Sequence, residues 1–244
     1  KTYARPDKNG QPGYFADDVN YVRTFMYARL SGNESGKTMT FYYDTNITAT
    51  DYIVLNNWYM SWSEERRNIT HVVFDKSFVN ARPKSTARWF CDFENLKTIE
   101  GIELLNTSNV TDLSQMFQGC SSLTTLNLLD LDFSKVENIN YMFAGCNKLQ
   151  TIFCKEDLSG VEFGDNAFMD CEALVGGNET YYDYRIWDKS YARPDMDGQP
   201  GYFSASTESG SEVIVANLGV NDTFKTGGIS YQVISVNPLE VQES

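Results

Sequence analysis

The 244-residue chain has little of several things that would mark a chemical or membrane function. His71 is its only histidine. No apolar run approaches the roughly 20 residues that a membrane-spanning helix needs. Nowhere do lysines and arginines cluster, and the net charge is −13 with a pI near 4.5. Such a surface repels phosphate backbones and anionic lipid, so nucleic-acid binding and electrostatic membrane attachment are not expected. The five cysteines, Cys91, Cys120, Cys146, Cys154 and Cys171, are odd in number, which argues against a complete disulfide framework. None shows the close Cys-x-x-Cys or Cys/His spacing of a zinc site. The chain opens at Lys1 without a basic n-region or apolar h-region, so it shows no signal peptide; a mature or truncated product would look the same.

No nucleophile with its base, carboxylate pair on a cleft or phosphate loop can be assembled from these residues. The chain is therefore read as not an enzyme, with no catalytic, cofactor-binding or metal-ligating residue assigned. What it has instead is apolar and aromatic material for a packed core: 41% hydrophobic residues, with 15 Tyr and 15 Phe. Charged residues make up 22%, an ordinary globular fraction.

That material is periodic. Phe90, Phe117, Phe143 and Phe168 are 27, 26 and 25 residues apart, and Leu96, Leu123, Leu149 and Leu174 keep the same spacings. Cys120, Cys146 and Cys171 follow them, with Phe93 in the cysteine's place in the first copy. Ile99, Leu126 and Ile152 form a further column. The shared frame is Phe-x-x-Cys-x-x-Leu-x-x-Leu/Ile, a repeat of about 26 residues.

Val110, Leu113, Phe117 and Cys120 recur at helical spacing, as do Val136, Ile139, Phe143 and Cys146, so the first half of each copy is expected to be a short helix. Leu126 and Leu128 flank Asn127, and Ile152 and Cys154 flank Phe153, which predicts a short strand in the second half. The expected fold is an α/β leucine-rich-repeat solenoid over residues 87–180, each copy burying its apolar face against the next. The cysteines on the inward stripe are read as small buried hydrophobes.

The stretch from Leu105 to Leu128, LNTSNVTDLSQMFQGCSSLTTLNL, resembles the BspA-like leucine-rich-repeat surface proteins of bacteria. VENINYMFAGCNKLQTIFC (Val136–Cys154) is its second copy, and NAFMDCEALVGGN a divergent third. MTFYYD (Met39–Asp44) and ITHVVFDKSF (Ile69–Phe78) are similar to the lead-in before such repeats. The resemblance implies a secreted protein exposed on a bacterial cell surface, with a role in adhesion and host interaction.

A longer-range duplication lies outside the repeat. YARPDKNGQPGYF (Tyr3–Phe15) recurs as YARPDMDGQPGYF (Tyr191–Phe203), identical at eleven of thirteen positions and 188 residues apart. Residues 1–16 are accordingly read as the tail of a preceding module. Residues 17–86 form a β-rich N-terminal cap, in which MYARLSG and TMTFYYD make a hairpin around Asn33–Lys37 and ITHVVF, holding His71, is a third strand. Residues 181–204 form a Tyr/Pro/Gly closing cap. Residues 205–244 form a polar linker and the β-hairpin start of a following module, turning at Gly227-Gly228. Asp195-x-Asp197-Gly198 opens like a calcium loop but lacks the distal bidentate Glu, and is read as a tight turn. Seven Asn-x-Ser/Thr sequons, among them Asn106, are read as turn and cap residues.

The candidate ligand surface has two parts. One is the outward face of the strand halves, with Thr98, Thr125 and Thr151 in one ladder and Glu100, Asn127 and Phe153 in the next. The other is a pair of aromatic clusters, NNWYMSW with Trp58 and Trp62, and YYDYRIW with Trp187, of the kind that stacks on sugars or anchors protein interfaces. The expected function is an extracellular bacterial surface module for adhesion or protein–protein interaction, binding a host-derived protein or glycan. It is expected as a monomer within a longer tandem-module protein. A carbohydrate-binding module and a passive structural spacer are the alternatives.

Overall fold

The computed structural model describes residues 24–33, 36–53, 63–206, 223–226 and 229–232. The N-terminal part is a five-stranded sheet of order β3-β1-β2-β4-β5. It comprises β1 (Phe25–Asn33), β2 (Gly36–Asp44), β3 (Tyr52–Ile53), β4 (Ile69–Phe74) and β5 (Thr98–Glu100). β1 and β2 form an antiparallel hairpin closing at Asn33↔Gly36, and β4 joins β2 in parallel. A second sheet, β6-β7-β8, is built from β6 (Thr125–Asn127), β7 (Thr151–Phe153) and β8 (Phe203–Ser204), all parallel. Near the C-terminus β9 (Thr223–Thr226) pairs antiparallel with β10 (Ile229–Gln232). Trp58, Trp62, the first YARPD segment, Gly227-Gly228 and the NPLEV segment lie outside the described residues.

This architecture corrects the expected α/β leucine-rich-repeat solenoid. The described residues contain no α-helix, only four short 3₁₀ segments, at Ser63–Asn68, Lys76–Asn80, Ile102–Leu104 and Lys189–Tyr191. The spans expected to be helical are chains of turns. In the second copy Met116 N–H donates to the Leu113 carbonyl, Cys120 to Phe117 and Leu123 to Cys120, each three residues back, where an α-helix would reach four. The amides between them turn the other way. Those of Leu113, Gln115, Phe117 and Gly119 donate to the carbonyls of Asn138, Asn140, Met142 and Ala144 in the following copy, at 2.8–2.9 Å. Alternate amides thus close a local turn and cross to the neighbouring copy.

The backbone conformation that allows this also excludes a helix. Two residues per copy, four apart and flanking each Phe, have positive φ: Arg88 and Asp92, Gln115 and Gly119, Tyr141 and Gly145, Asn166 and Asp170. A right-handed helix cannot pass through a left-handed residue. Apolar residues three and four apart, which imitate a helical stripe, here mark successive turns.

The predicted strand column is also interrupted. β5 pairs with β4, with Thr98 opposite His71, whereas β6 starts a separate sheet with Thr125 opposite Thr151. Lys97 N–H donates to the Thr70 carbonyl, and Gly101, at φ +72°, brings the chain so close to β4 that an added Cβ would sit 2.7 Å from the Phe74 carbonyl oxygen. These contacts tie the first strand to the N-terminal sheet.

Side chains then join the parts into one core, which runs from Ala28 in β1 to Phe203 in β8. The four repeat phenylalanines are fully buried and stacked, with ring centroids 5.4, 5.8 and 5.4 Å apart. The row continues into the N-terminal sheet, where Phe90 meets Phe41 and Phe74 edge-on and Trp89 stacks on Phe41 at 5.5 Å. At the other end Tyr202 and Phe203 close it edge-on against Phe168. Fully burying one such ring is worth about 1.5–3 kcal/mol. Leu96, Leu123, Leu149 and Leu174 form a second buried column.

Candidate functional site

The closing end of the stack is held by Asp195. Its Oδ2 accepts the amides of Asn178 and Thr180, both at 2.8 Å, and its Oδ1 accepts the Thr180 hydroxyl at 2.7 Å. The Gly201 amide lies 3.4 Å from Oδ1. The carboxylate is thus occupied in fixing backbone, as a buried acid must be. The next residues make a tight turn in which Met196 and Gln199 form a bridge around Gly198 at φ +74°. The Tyr202 hydroxyl accepts the Asp183 amide at 3.0 Å and donates to the Ile186 carbonyl at 3.0 Å, while burial pushes its pKa up to about 12.

Those contacts anchor residues 181–187, which carry three exposed aromatics, two of them the most exposed among the described residues; Phe163, at 49%, is the other exposed ring. Tyr181 is 69% exposed, Tyr184 71% and Trp187 44%. The segment is braced from both sides. Tyr181 bridges to Val175, and the Tyr182 amide donates to the Leu174 carbonyl. Arg185 donates through two nitrogens to the Asp183 carboxylate, holding that acid near pKa 2, and its guanidinium lies 6.0 Å from the Tyr184 ring. The Trp187 carbonyl accepts the Phe168 amide, the place that Met116, Met142 and Ala167 fill for the three preceding phenylalanines. Trp187 therefore stands where the next copy's residue before Phe would be. A Tyr/Arg/Trp set on braced backbone is the composition of an interface hot spot, because little side-chain freedom remains to be lost on binding.

The strand-face candidates are divided between the two sheets. Thr98 and Glu100 are exposed on β5. On the second sheet Thr125 and Asn127 are exposed, whereas Thr151 and Phe153 are half-buried. Phe153 is opposite Asn127 on one side and Ser204 on the other, and the Asn127 side chain is engaged locally, accepting the Leu129 amide. The structure therefore brings together Thr125, Thr151, Asn127 and Phe153, but does not continue that ladder to Thr98 and Glu100.

The cysteines are all free and buried. Cys120, Cys146 and Cys171 donate their thiols to the carbonyls of Phe90, Phe117 and Phe143, one copy back, at 3.2, 3.0 and 3.1 Å. Burial raises the pKa of all five, to about 11 for Cys91 and about 12 for Cys154. These thiols are not nucleophiles near neutral pH. His71 is exposed on β4, with Nδ1 2.8 Å from the Thr70 hydroxyl.

Sequence reasoning missed Tyr181 and Tyr184 as individual candidates, although the YYDYRIW cluster contained them. Nothing in composition separates them from Tyr182 and Tyr191, which pack against Tyr202 at 6.1 and 5.1 Å. Among the described residues no three His, Cys, Asp or Glu side chains are grouped to hold a metal ion, and no helix is long and apolar enough to cross a membrane.

No curated protein and no solved structure matches the chain. A family profile described as "Mycoplasma protein of unknown function, DUF285" matches residues 84–188, fewer than half of the chain. That span holds the stacked copies and the exposed aromatic segment, and over it the chain is similar to a bacterial domain family.

Proposed function

We propose that this chain is a binding module of a BspA-like bacterial surface protein, displayed outside the cell, that mediates adhesion by engaging a host-derived protein through residues 181–187. The observation that carries the reading is the exposure of Tyr181, Tyr184 and Trp187 on one braced segment. Exposed large aromatics cost solvation unless a partner covers them, and Tyr, Trp and Arg dominate the energetics of protein interfaces. The half-buried Phe153 and the Thr125–Thr151 pair are a secondary surface of the same module.

The test is an immobilised panel of mammalian serum and matrix proteins, run beside a glycan array. Tyr184→Ala and Trp187→Ala are each expected to weaken the retained protein contact by about 30-fold, the consequence of losing about 2 kcal/mol at a hot spot. Because both side chains are exposed, the melting temperature should hold. Equal retention by wild type and variants sinks the assignment to this segment. Retention of a glycan instead, lost on the same substitutions, would favour the carbohydrate-binding alternative; retention of nothing would favour the passive spacer.

A further inference from the structure

The ion pairs among the described residues occupy Arg29, Lys37, Arg66, Arg67 and Arg185. Two other cations, Lys155 and Arg193, line one cavity of about 230 Å³, formed by the connection after β7 and the closing cap. Arg193 is fixed everywhere but at its outer edge. Its amide donates to the Tyr191 carbonyl at 2.8 Å, and its carbonyl accepts the Phe203 amide at 3.1 Å. Its Nε donates to the Pro200 carbonyl at 2.9 Å, and its guanidinium lies 5.8 Å from the Tyr191 ring. The two Nη atoms make no hydrogen bond among the described residues. Lys155 is exposed, and its Nζ makes no hydrogen bond or ion pair among the described residues. Its backbone is laced to the cap on both sides, by Cys154 N–H to the Ser204 carbonyl at 2.9 Å and Leu158 N–H to the Ala192 carbonyl at 2.7 Å.

The rest of the lining is of mixed chemistry. Asp157 is its one acid. Oδ1 of that carboxylate already accepts the Ser159 amide and hydroxyl, at 2.9 and 2.6 Å, which leaves Oδ2 as an acceptor. Gln199 is held through its backbone to Met196, and its exposed side-chain amide offers both a donor and an acceptor. Pro194 and the exposed Met196 add an apolar wall. A fixed guanidinium edge matches the two oxygens of a carboxylate, and an ammonium lining the same cavity adds a second positive charge. A bare inorganic anion would use the cations, leave Gln199 idle and be opposed by Asp157. A sugar ring that carries a carboxylate uses every wall: its hydroxyls donate to Asp157 and pair with Gln199, and its C–H face rests on Met196 and Pro194. The volume lies below the roughly 300–1,000 Å³ of sites that enclose drug-sized ligands, so it suits one ring.

We propose that this cavity binds a single carboxylated sugar residue, a uronic or a sialic acid, with Arg193 and Lys155 on the carboxylate and Asp157 and Gln199 on the hydroxyls. None of residues 181–187 lines it, so the site stands apart from the protein contact proposed there.

Saturation-transfer NMR titrations of the full chain test it, with methyl glucuronide, the methyl glycoside of sialic acid and methyl glucoside as probes. One of the two acidic sugars should bind at least about 10-fold more tightly than the neutral glucoside, the consequence of a charge-assisted contact, and which one does so decides between uronic and sialic acid. Lys155→Gln, at an exposed position, should melt as wild type does and bind that sugar about 10-fold more weakly. Arg193→Lys keeps the charge but loses the planar fork, and should weaken binding at least as much. Equal affinity for the glucuronide, the sialoside and the glucoside, or equal affinity of wild type and Lys155→Gln for the acidic sugar, overturns the proposal. So does the absence of any sugar binding at about 50 mM. N-acetylglutamate, which carries the carboxylate of a peptide side chain, and glycine, a free zwitterion, are run beside the sugars. Tighter binding of either than of both acidic sugars would assign the cavity to that ligand and overturn the sugar assignment.

Discussion

The N-terminal sheet and the stacked copies satisfy their backbones in opposite ways. β1 and β2 pair along nine residues each, so neighbouring strands satisfy each other over long, regular runs. In the stacked copies the strands are only three residues long, and most of the hydrogen bonding falls to turns whose amides alternate between the local carbonyl and the next copy. Charge is distributed unevenly too. Of the five ion pairs among the described residues, four lie between Arg29 and Glu94, including Arg66–Asp92 and Arg67–Glu94, which fasten the 3₁₀ segment at Ser63–Asn68 to the first copy. Exposed ion pairs of this kind contribute little. The difference teaches that the sheet can be built from ordinary strand propensity, whereas the stack depends on a few positions per copy that must be buried, sulfur-bearing or left-handed.

Removing a stack position should expose that dependence most. Phe143→Ala deletes a ring that touches Phe117, Phe168 and Phe203, and should cost about 3–5 kcal/mol in a denaturant melt. An unchanged midpoint would mean that the stack is not carried by this column.

The next effect is alkaline. The buried thiols have folded pKa values above their unfolded value of about 8.5, so each contributes stability that is complete below that pH. As pH rises from there toward the folded pKa, the unfolded chain ionises first and the stability is lost, by up to about 1.4 kcal/mol per pH unit per thiol. Replacing Cys146 with Ala should reduce the slope of stability against pH between 9 and 10.5 by about that amount. Identical slopes in parent and variant would show that Cys146 is not protonated by burial.

The smallest effect concerns conformation alone. Gly145 has φ +76°, and a Cβ there would make only ordinary van der Waals contact, with Gly119 backbone atoms at 3.6 Å. Gly145→Ala should then cost about 1 kcal/mol from backbone strain, and Gly145→Asn less, because asparagine tolerates the left-handed region. Asp92 and Asp170 already occupy the equivalent positions. If Ala and Asn prove equally costly, the left-handed residues are not what separates the stack from the sheet.

The columns themselves were legible. Phe, Cys and Leu positions picked out by spacing alone are buried, and the strand spans of the N-terminal sheet follow from alternating β-branched and aromatic residues. The local conformation between the columns was not, because consecutive three-residue turns and a helix share their apolar spacing. Two signals would have separated them. One is Gly119 and Gly145 in register, with Asp92 and Asp170 in the same frame position, since all four residues favour or tolerate positive φ. The other is the recurring Asx pair, in which Asp112 accepts the Ser114 amide, Asn138 that of Asn140, Asp132 that of Ser134 and Asp157 that of Ser159. Such pairs compete with helix. Of the candidate surface, Trp187 was singled out by its aromatic neighbourhood. The break between Glu100 and Asn127 was not legible, because strand pairing across 27 residues leaves no mark within either strand.

The alternating amides also constrain how such a chain can change length. From Val110 to Phe117, Val136 to Phe143 and Val161 to Phe168 the separation is always seven residues, and Phe, Cys and Leu then follow at fixed threes. The distances from Ile99 to Val110, Leu126 to Val136 and Ile152 to Val161 are 11, 10 and 9. All the drift in copy length is thus confined to the connection after each strand. A one-residue insertion between Leu113 and Gly119 would put the crossing amides beyond it out of phase with their acceptors, whereas a whole added copy would preserve them all. For this chain, gaining or losing an entire copy disturbs the hydrogen-bonding pattern less than gaining or losing a single residue.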